Sequence, residues 1–490
     1  MGDPLRPVEV VVAGGGPTGL ATAALLDAAG VRVEVFERKH GPSTHAKGFT
    51  MHPRTLEVLD VLDGVSDALV ARGRTVPHAH FAALPNMVDY TGLPTPYPFV
   101  LMVPQSCTER VLADHLSRRG VRVRYGYPVT GFEQHADGVR VQVDDTVHEA
   151  GHLVAADGAR SALRQQAGIA FAGTLPTAVG FGADVELADP PDGPGHRWHP
   201  DAGWAGIVPL PGGIWRIYGM EPTATGLSPE QARARLTAPL HLGELRASVR
   251  RVVSTDFGLH SPRRLFRYSN ASLLADRLRA ERLLLVGDAA HVNLPAGGQG
   301  LNAGLQDAAC LAWRLAAEIQ GWAGERVTGF GYERERRHVA ELLRANTLAQ
   351  DAIMNTFGAA GAALRELVGG FLTRGAGELI GLMSGLGVRY PALPGAHPLS
   401  GTRVPNLMVD GEPVWRVLRP DRFLLLDLSG RDAFGALEAR RVDVAAAPSW
   451  SGLSAVLVRP DGYVAHASSS DDVDEMVTAI TAWTAWSEQR

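Results

Sequence analysis

The sequence predicts an α/β fold: a parallel sheet wound with helices, a second sheet inserted into it, and a further small domain at the C-terminal end. Three glycine-bearing segments in a fixed order predict it. Gly14-Gly15-Gly16-Pro17-Thr18-Gly19 closes an apolar run near the N-terminus, and Asp157-Gly158 ends a second run mid-chain. Gly287-Asp288 ends a third, which continues into Pro295-Ala296-Gly297-Gly298-Gln299-Gly300-Leu301-Asn302.

Val8 to Ala13 is apolar and rich in β-branched residues, as expected of a strand buried on both faces. The glycines that follow permit a tight turn and close approach of backbone to a phosphate. Pro17 to Ala29 reads as a helix whose N-terminal N–H groups and dipole favour a pyrophosphate. Gly14, Gly16, Pro17, Thr18 and Gly19 are therefore candidate ligand contacts. A second strand, Val31 to Phe36, leads to Glu37 and Arg38. Glu37 stands at the spacing from Gly14 expected of a carboxylate that accepts from a ribose hydroxyl. Strand, helix and acid together read as a Rossmann-type dinucleotide site. No second GxGxxG follows a strand, so one dinucleotide is held and any nicotinamide visits without a domain of its own.

His152 to Ala156 is the strand before Asp157-Gly158, a dipeptide also common in plain turns. Arg282 to Val286 is a short strand with Asp288 at its end, where a carboxylate can accept from sugar-alcohol hydroxyls. A long helix is expected from about Leu301 to Ile319. Its first turn and the Asn302 side chain offer hydrogen-bond donors. Reduced flavin carries negative charge at its pyrimidine edge, which a helix N-terminus stabilises. The three segments in this order read as FAD in a single-chain oxygenase.

With these residues in view, the chain resembles the group A flavoprotein monooxygenases, the aromatic hydroxylases related to p-hydroxybenzoate hydroxylase, over nearly its whole length. Within them it looks most like the actinomycete polyketide hydroxylases of the angucycline type and the rifampicin monooxygenases. The segments that carry the resemblance are AGGGPTGL, FERK, HPRTLEVLD, VPQSCTERVL, AADGARSALR, LLLVGDAAHVNLPAGGQGLNAGLQDAACLAWRLA, MSGLGVRYPALPGAHPLSGTRVP and VLVRPDGYVAHA. The resemblance implies that Glu37 holds the adenosine ribose, Gln105 lies against the FAD and Asp288 holds the ribityl chain. It implies that Pro295 to Asn302, with Gly298, Gly300 and Leu301, line the isoalloxazine. Asp157 belongs to a motif implicated in FAD and NADPH contact. Lys47 stands where the family usually has an arginine; it keeps the charge and loses the bidentate fork.

Composition agrees with a large enzyme. A chain of 490 residues has room for two or three domains. The net charge of −5 gives no nucleic-acid footprint. No apolar stretch reaches membrane-spanning length, and the N-terminal apolar run leads straight into the glycine motif rather than a cleavage site. Cys107 and Cys310 cannot make a disulfide framework. A cytoplasmic protein is expected, with no metal.

The FAD-binding domain is expected in three pieces, 1–75, 100–175 and 262–345. Residues 76–99 and 176–261 should form the inserted β-sheet substrate domain, with strands at Phe181 to Leu187, Gly203 to Pro209 and Gly213 to Met220. Residues 346–402 read as a helical segment and a linker marked by Pro391, Pro394 and Pro398. From 403 to 490, strands at Phe423 to Leu428, Val442 to Ala446 and Ser454 to Val458 and a helix from Asp472 to Ser487 resemble a thioredoxin-like C-terminal domain, here without redox cysteines.

The resemblance implies that oxygen activated on the reduced flavin hydroxylates an electron-rich ring of a multi-ring aromatic polyketide or antibiotic. NADPH or NADH supplies the hydride, and the partners are this small molecule, O2 and the nicotinamide. Ring-opening Baeyer–Villiger oxygenation or antibiotic inactivation on the same fold is the alternative. A halogenase would carry Trp-x-Trp-x-Ile, and the nearest segment, Gly213-Ile-Trp-Arg-Ile217, has one tryptophan. No protein general base is assigned. Met51, His52, Trp204 and Trp215 are candidate pocket residues.

Overall fold

The computed structural model describes residues 8–43, 48–193, 195–327, 331–437, 440–442 and 450–484. The first strand, Val8–Ala13, lies between two parallel partners, Thr146–Ala155 on one side and Val33–Glu37 on the other. Leu283–Leu285 pairs parallel with the far edge of Thr146–Ala155. The strands that precede the three glycine segments are thus consecutive in the sheet. Their carboxyl ends open on the same side, where an open α/β sheet receives its ligand. A hairpin, Val129–His135 with Gly138–Val143, extends the sheet antiparallel from Thr146–Ala155.

Two helices press the glycine motif onto the sheet. Pro17–Ala28 is buried on nearly every side, because the long helix Gln299–Gln320 and the helix Gln105–Arg118 pack against it. That explains its lack of an amphipathic stripe. Gly14 has φ +117, and a Cβ on Gly19 would stand 1.9 Å from the Gly14 carbonyl oxygen. The helix can approach the strand this closely only with glycine at that place.

The inserted sheet has five strands, in the order His196–Trp198, Trp204–Pro209, Trp215–Met220, Val179–Glu186 and His260–Ser269. The last carries the sheet beyond residue 261, the limit expected from sequence; Arg263, Arg264 and Arg267 mask its alternation. Gly213 lies in a turn, Pro211–Gly213, rather than in the strand. His78–His80 and Met87–Asp89 form a separate hairpin whose Ala79 and Val88 join an apolar cluster with Trp204 and Met220 of the sheet.

Residues 331–384 are three helices, Gly331–Asn355, Gly358–Arg374 and Gly377–Ser384. The proline-marked stretch after them is packed rather than loose. Tyr390 is buried with its ring 4.1 Å from that of Tyr463, and its N–H donates to the Gly401 carbonyl.

The C-terminal domain has a four-stranded sheet, ordered Arg440–Arg441, Leu424–Asp427, Ala455–Val458, Val464–Ser468. The first pair is parallel and the others antiparallel, with the helix Val473–Trp483 following, in a thioredoxin-like arrangement. Of the strand expected over Val442 to Ala446, residues 443–446 lie outside the described residues. Val464–Ser468 went unread in the sequence.

Buried charges join this domain to the flavin-side helices. Glu335 accepts from Arg314 at 2.6 Å and from Arg459 at 2.8 and 3.0 Å. Arg459 also grips Asp461, whose backbone carbonyl accepts from Arg54. Burial pushes the Glu335 carboxyl up, but the two guanidiniums outweigh it and hold the pKa at about 2. Such a group stabilises the fold fully above its unfolded pKa near 4.5, and the contribution is lost as pH falls toward 2. Glu335→Gln should therefore flatten the acid limb of the stability–pH curve, and Arg459→Ala should cost about 3–5 kcal/mol at neutral pH. Thermal melts across pH 2 to 7 check both. Burial raises the Cys310 thiol to about 12 and also raises Cys107. Alkylation at neutral pH should leave flavin content and turnover unchanged.

Candidate active site

A cleft with about 420 Å³ of free space runs across the carboxyl ends of the parallel strands. All three glycine segments line it, through Gly14, Gly16, Pro17, Thr18 and Gly19, then Asp157 and Gly158, then Asp288. At one end Glu37 is buried at the tip of its strand. It accepts from the Gly15 N–H at 2.6 Å and the Lys39 N–H at 2.9 Å, which fixes the carboxylate beside the glycine turn. Arg38 and Arg160 add positive charge along the cleft.

Gln105 braces the opposite wall. Its Oε1 accepts from the Gly48 N–H at 3.2 Å, and its Nε2 donates to Glu109 at 2.8 Å. The other oxygen of Glu109 accepts from the Ser43 N–H. Glu109 sits one helical turn after Gln105, and sequence reading missed it. Asp157 accepts from the Leu163 N–H at 3.4 Å through Oδ2; its buried Oδ1 has no protein partner among the described residues. An acceptor buried without a donor costs about 1–3 kcal/mol, so a ligand hydroxyl or amide is its natural complement.

Asp288 faces the cleft from a turn that opens with Gly287 at φ +60. That turn is held from behind by Asp307, which accepts from the Gly287 N–H at 3.0 Å, from His291 at 2.7 Å and from Arg336 at 2.6 Å. Burial would raise the Asp307 carboxyl; Arg336 and His291 outweigh that and hold it below the usual range. Farther along, Pro295, Gly298, Gly300 and Leu301 line the cleft where the helix Gln299–Gln320 begins. The first-turn N–H groups have no intrahelical acceptor and suit an anion.

A long cleft with a carboxylate at one end, a glycine turn and helix N-terminus beside it, an acceptor carboxylate midway and a second helix N-terminus at the far end fits FAD. An FAD binding domain model matches residues 7–347, and an aromatic-ring hydroxylase C-terminal model matches residues 397–486. The chain belongs to the FAD-dependent aromatic-ring monooxygenases. The monooxygenase is 37% identical over 486 residues to the 12-dehydrotetracycline 5-monooxygenase/anhydrotetracycline 6-monooxygenase of Streptomyces rimosus, covering 93% of this chain and 94% of that one. It is 34% identical to the rifampicin monooxygenase of Streptomyces venezuelae, covering 96% and 97%. Among solved structures, CabE, an aromatic hydroxylase from angucycline biosynthesis, superposes with a TM-score of 0.83 at 30% identity, covering 98% of this chain and 100% of that one.

The monooxygenase departs from several sequence expectations. The Asn302 side chain does not face the cleft. It is buried, donates to the Thr50 carbonyl at 3.0 Å and the Gly298 carbonyl at 2.7 Å, and accepts from the His52 N–H at 2.8 Å. Met51 lies wholly within the core of the parallel-sheet domain. His52 is buried against the Gly297 carbonyl at 2.8 Å. Trp215 is on the far face of the inserted sheet, in the cluster that packs on the helix Leu242–Val253. Trp204 is on the near face: its indole N–H donates to Asn355 at 2.9 Å, and its ring meets Tyr218 edge-on. Lys47 lies outside the described residues. Phe49 and Thr50, which also line the cleft, carried no sequence signal.

The near face of the inserted sheet is an aromatic wall. A Cβ on Gly206 would fall 2.6 Å from the Tyr218 ring, and one on Gly180 would fall 2.3 Å from Tyr268. The absence of side chains at these two places lets both rings lie across the strands. This wall shares one apolar cluster with Leu294 and Ala296 of the loop that leads into the cleft.

Asp288→Ala should weaken FAD binding by about 1–3 kcal/mol, roughly 5- to 150-fold in Kd, through loss of its acceptor. Titration of apoprotein with FAD, read by quenching of flavin fluorescence, measures it; an unchanged Kd would move the ribityl contact elsewhere.

Proposed function

We propose that this monooxygenase hydroxylates a multi-ring aromatic polyketide or antibiotic, taking hydride from NADPH or NADH. The observation that carries the reading is the wall of Trp204, Tyr218 and Tyr268 joined to the loop residues Leu294 and Ala296. A flat apolar surface continuous with the flavin end of the cleft suits a fused-ring substrate. The relatives named above act on tetracycline and rifampicin skeletons, which supports the same substrate class.

The residues would divide the work as follows. Gly14 to Gly19, Glu37 and Asp288 would hold the pyrophosphate, adenosine ribose and ribityl chain of FAD. Pro295, Gly298, Gly300 and Leu301 would border its ring. The bound flavin supplies hydride acceptance and oxygen activation. The chain's part is to exclude water and to hold the substrate ring against the loop. Its buried imidazole, His52, is tied to backbone and placed to support the loop rather than to exchange a substrate proton. The absence of a second Rossmann motif leaves the nicotinamide to approach from the open side of the cleft, where Arg38 and Arg160 offer charge to its phosphates. Among the described residues, no helix is long and apolar enough to cross a membrane. We place the protein in the cytoplasm, where its reductant is generated.

A panel of tetracyclic and angular polyketides tests the reading. NADPH oxidation should be slow alone and much faster with a phenolic member, and one atom from ¹⁸O2 should enter the product. Label arriving from water, or no stimulation by any member, would contradict the assignment for those substrates. NMR of the product separates ring hydroxylation from the Baeyer–Villiger alternative, which adds the same mass.

A further inference from the structure

We propose that His52 is a positioning residue that locks the Gly297–Gly298 peptide, so that the first-turn N–H groups of the helix Gln299–Gln320 face the FAD cleft. The problem it solves is set by the sequence. Gly297 and Gly298 both have φ +67, and a glycine pair has more backbone conformations open to it than any other dipeptide. The peptide between them can turn over unless something outside the loop holds it.

Two side chains do. His52 Nε2 lies 2.8 Å from the Gly297 carbonyl oxygen. Asn302 Nδ2 donates to the Gly298 carbonyl at 2.7 Å. Asn302 also accepts from the backbone N–H of His52, so both clamps are joined to one another. The paired carbonyls are thereby held on the protein side, while Gly298, Gly300 and Leu301 line the cleft. Crowding reinforces the arrangement, since a Cβ on Gly298 would stand 2.7 Å from Thr50, two residues before His52.

The imidazole is suited to this task. A carbonyl oxygen only accepts, so against Gly297 Nε2 carries the proton and Nδ1 is left as an acceptor; the Gln299 amide nitrogen, 3.3 Å from Nε2, donates instead to the Met383 carbonyl at 3.1 Å. The Tyr90 hydroxyl lies 3.4 Å from Nδ1 and supplies the matching donor. Burial lowers the His52 pKa to about 4, so the ring stays neutral and keeps this tautomer across the working pH range.

The test compares His52→Gln, whose Nε2 reaches as far as that of histidine, with His52→Asn and His52→Ala, which do not reach Gly297. Tyr90→Phe keeps the Gly297 bond. Each apoprotein is titrated with FAD, and the visible flavin spectrum of each complex is recorded beside its Tm. H52N and H52A should raise the FAD Kd about tenfold or more and alter the shape of the flavin absorption bands. H52Q and Y90F should stay within about threefold of wild type with an unaltered spectrum. If H52A does not fold, the contrast between H52N and H52Q carries the result. Wild-type Kd and spectrum in folded H52N, with only Tm lowered, would reduce His52 to a packing residue and overturn the proposal.

Discussion

The helix Gln299–Gln320 is the constraint on which the rest depends. Its N-terminus must meet the cleft, so its whole length has to be held in place. One face packs on Pro17–Ala28, which carries the first glycine motif. Another presents Asp307 to Arg336 and to the turn before Asp288. The same face, two turns on, presents Arg314 to Glu335, which also receives Arg459 from the C-terminal domain. Cys310, Glu335 and Asp461 come within 4.8 Å of one another there. Arg314 and Arg459 already supply the positive charge that two buried carboxylates require, so the cluster reads as an ion-pair network. Pairs of this kind are costly to break and add little net stability over an apolar core. Their value here is geometric, because the carboxylates are shared: Glu335 receives both Arg314 and Arg459, and Arg459 also grips Asp461.

That arrangement gives the cysteine-free C-terminal domain a role. Its Arg459 to Tyr463 turn touches two helices: the Asp461 carbonyl accepts from Arg54 of Pro53–Leu59, and Arg459 lies over the Trp313 ring of Gln299–Gln320. Arg54 lies over the rings of Trp415 and Tyr463, and Arg403 reaches back to Glu57. Pro53–Leu59 starts immediately after His52, so this domain presses from behind on the same segment that holds the Gly297–Gly298 loop.

Much of the cofactor site was legible in the sequence because backbone geometry there leaves residue-level marks. Gly14 and Gly19 permit a positive φ and a helix–strand approach that a side chain would block. Asp288 follows a glycine at the end of a short apolar strand. What was not legible lies in contacts between residues far apart in the chain. Asn302 offers the same amide whether it faces a flavin or the Thr50 carbonyl, and only the fold decides. Glu109 and Asp307 brace the site from helices whose local pattern is ordinary. For the tryptophans the deciding quantity is strand register. Trp204 pairs with Met220 and Trp215 with Pro209, which puts the two indoles on opposite faces of one sheet. His260–Ser269 was obscured by arginines that sit where an outward-facing strand tolerates them.

The most direct measurement is a crystal structure of the protein as purified, with its flavin retained. Electron density for FAD should run along the cleft, with the adenosine ribose at Glu37, the ribityl chain at Asp288 and the ring beside Pro295 and the first turn of Gln299–Gln320. A colourless protein that cannot be reconstituted, or a dinucleotide bound away from these three loops, would contradict it.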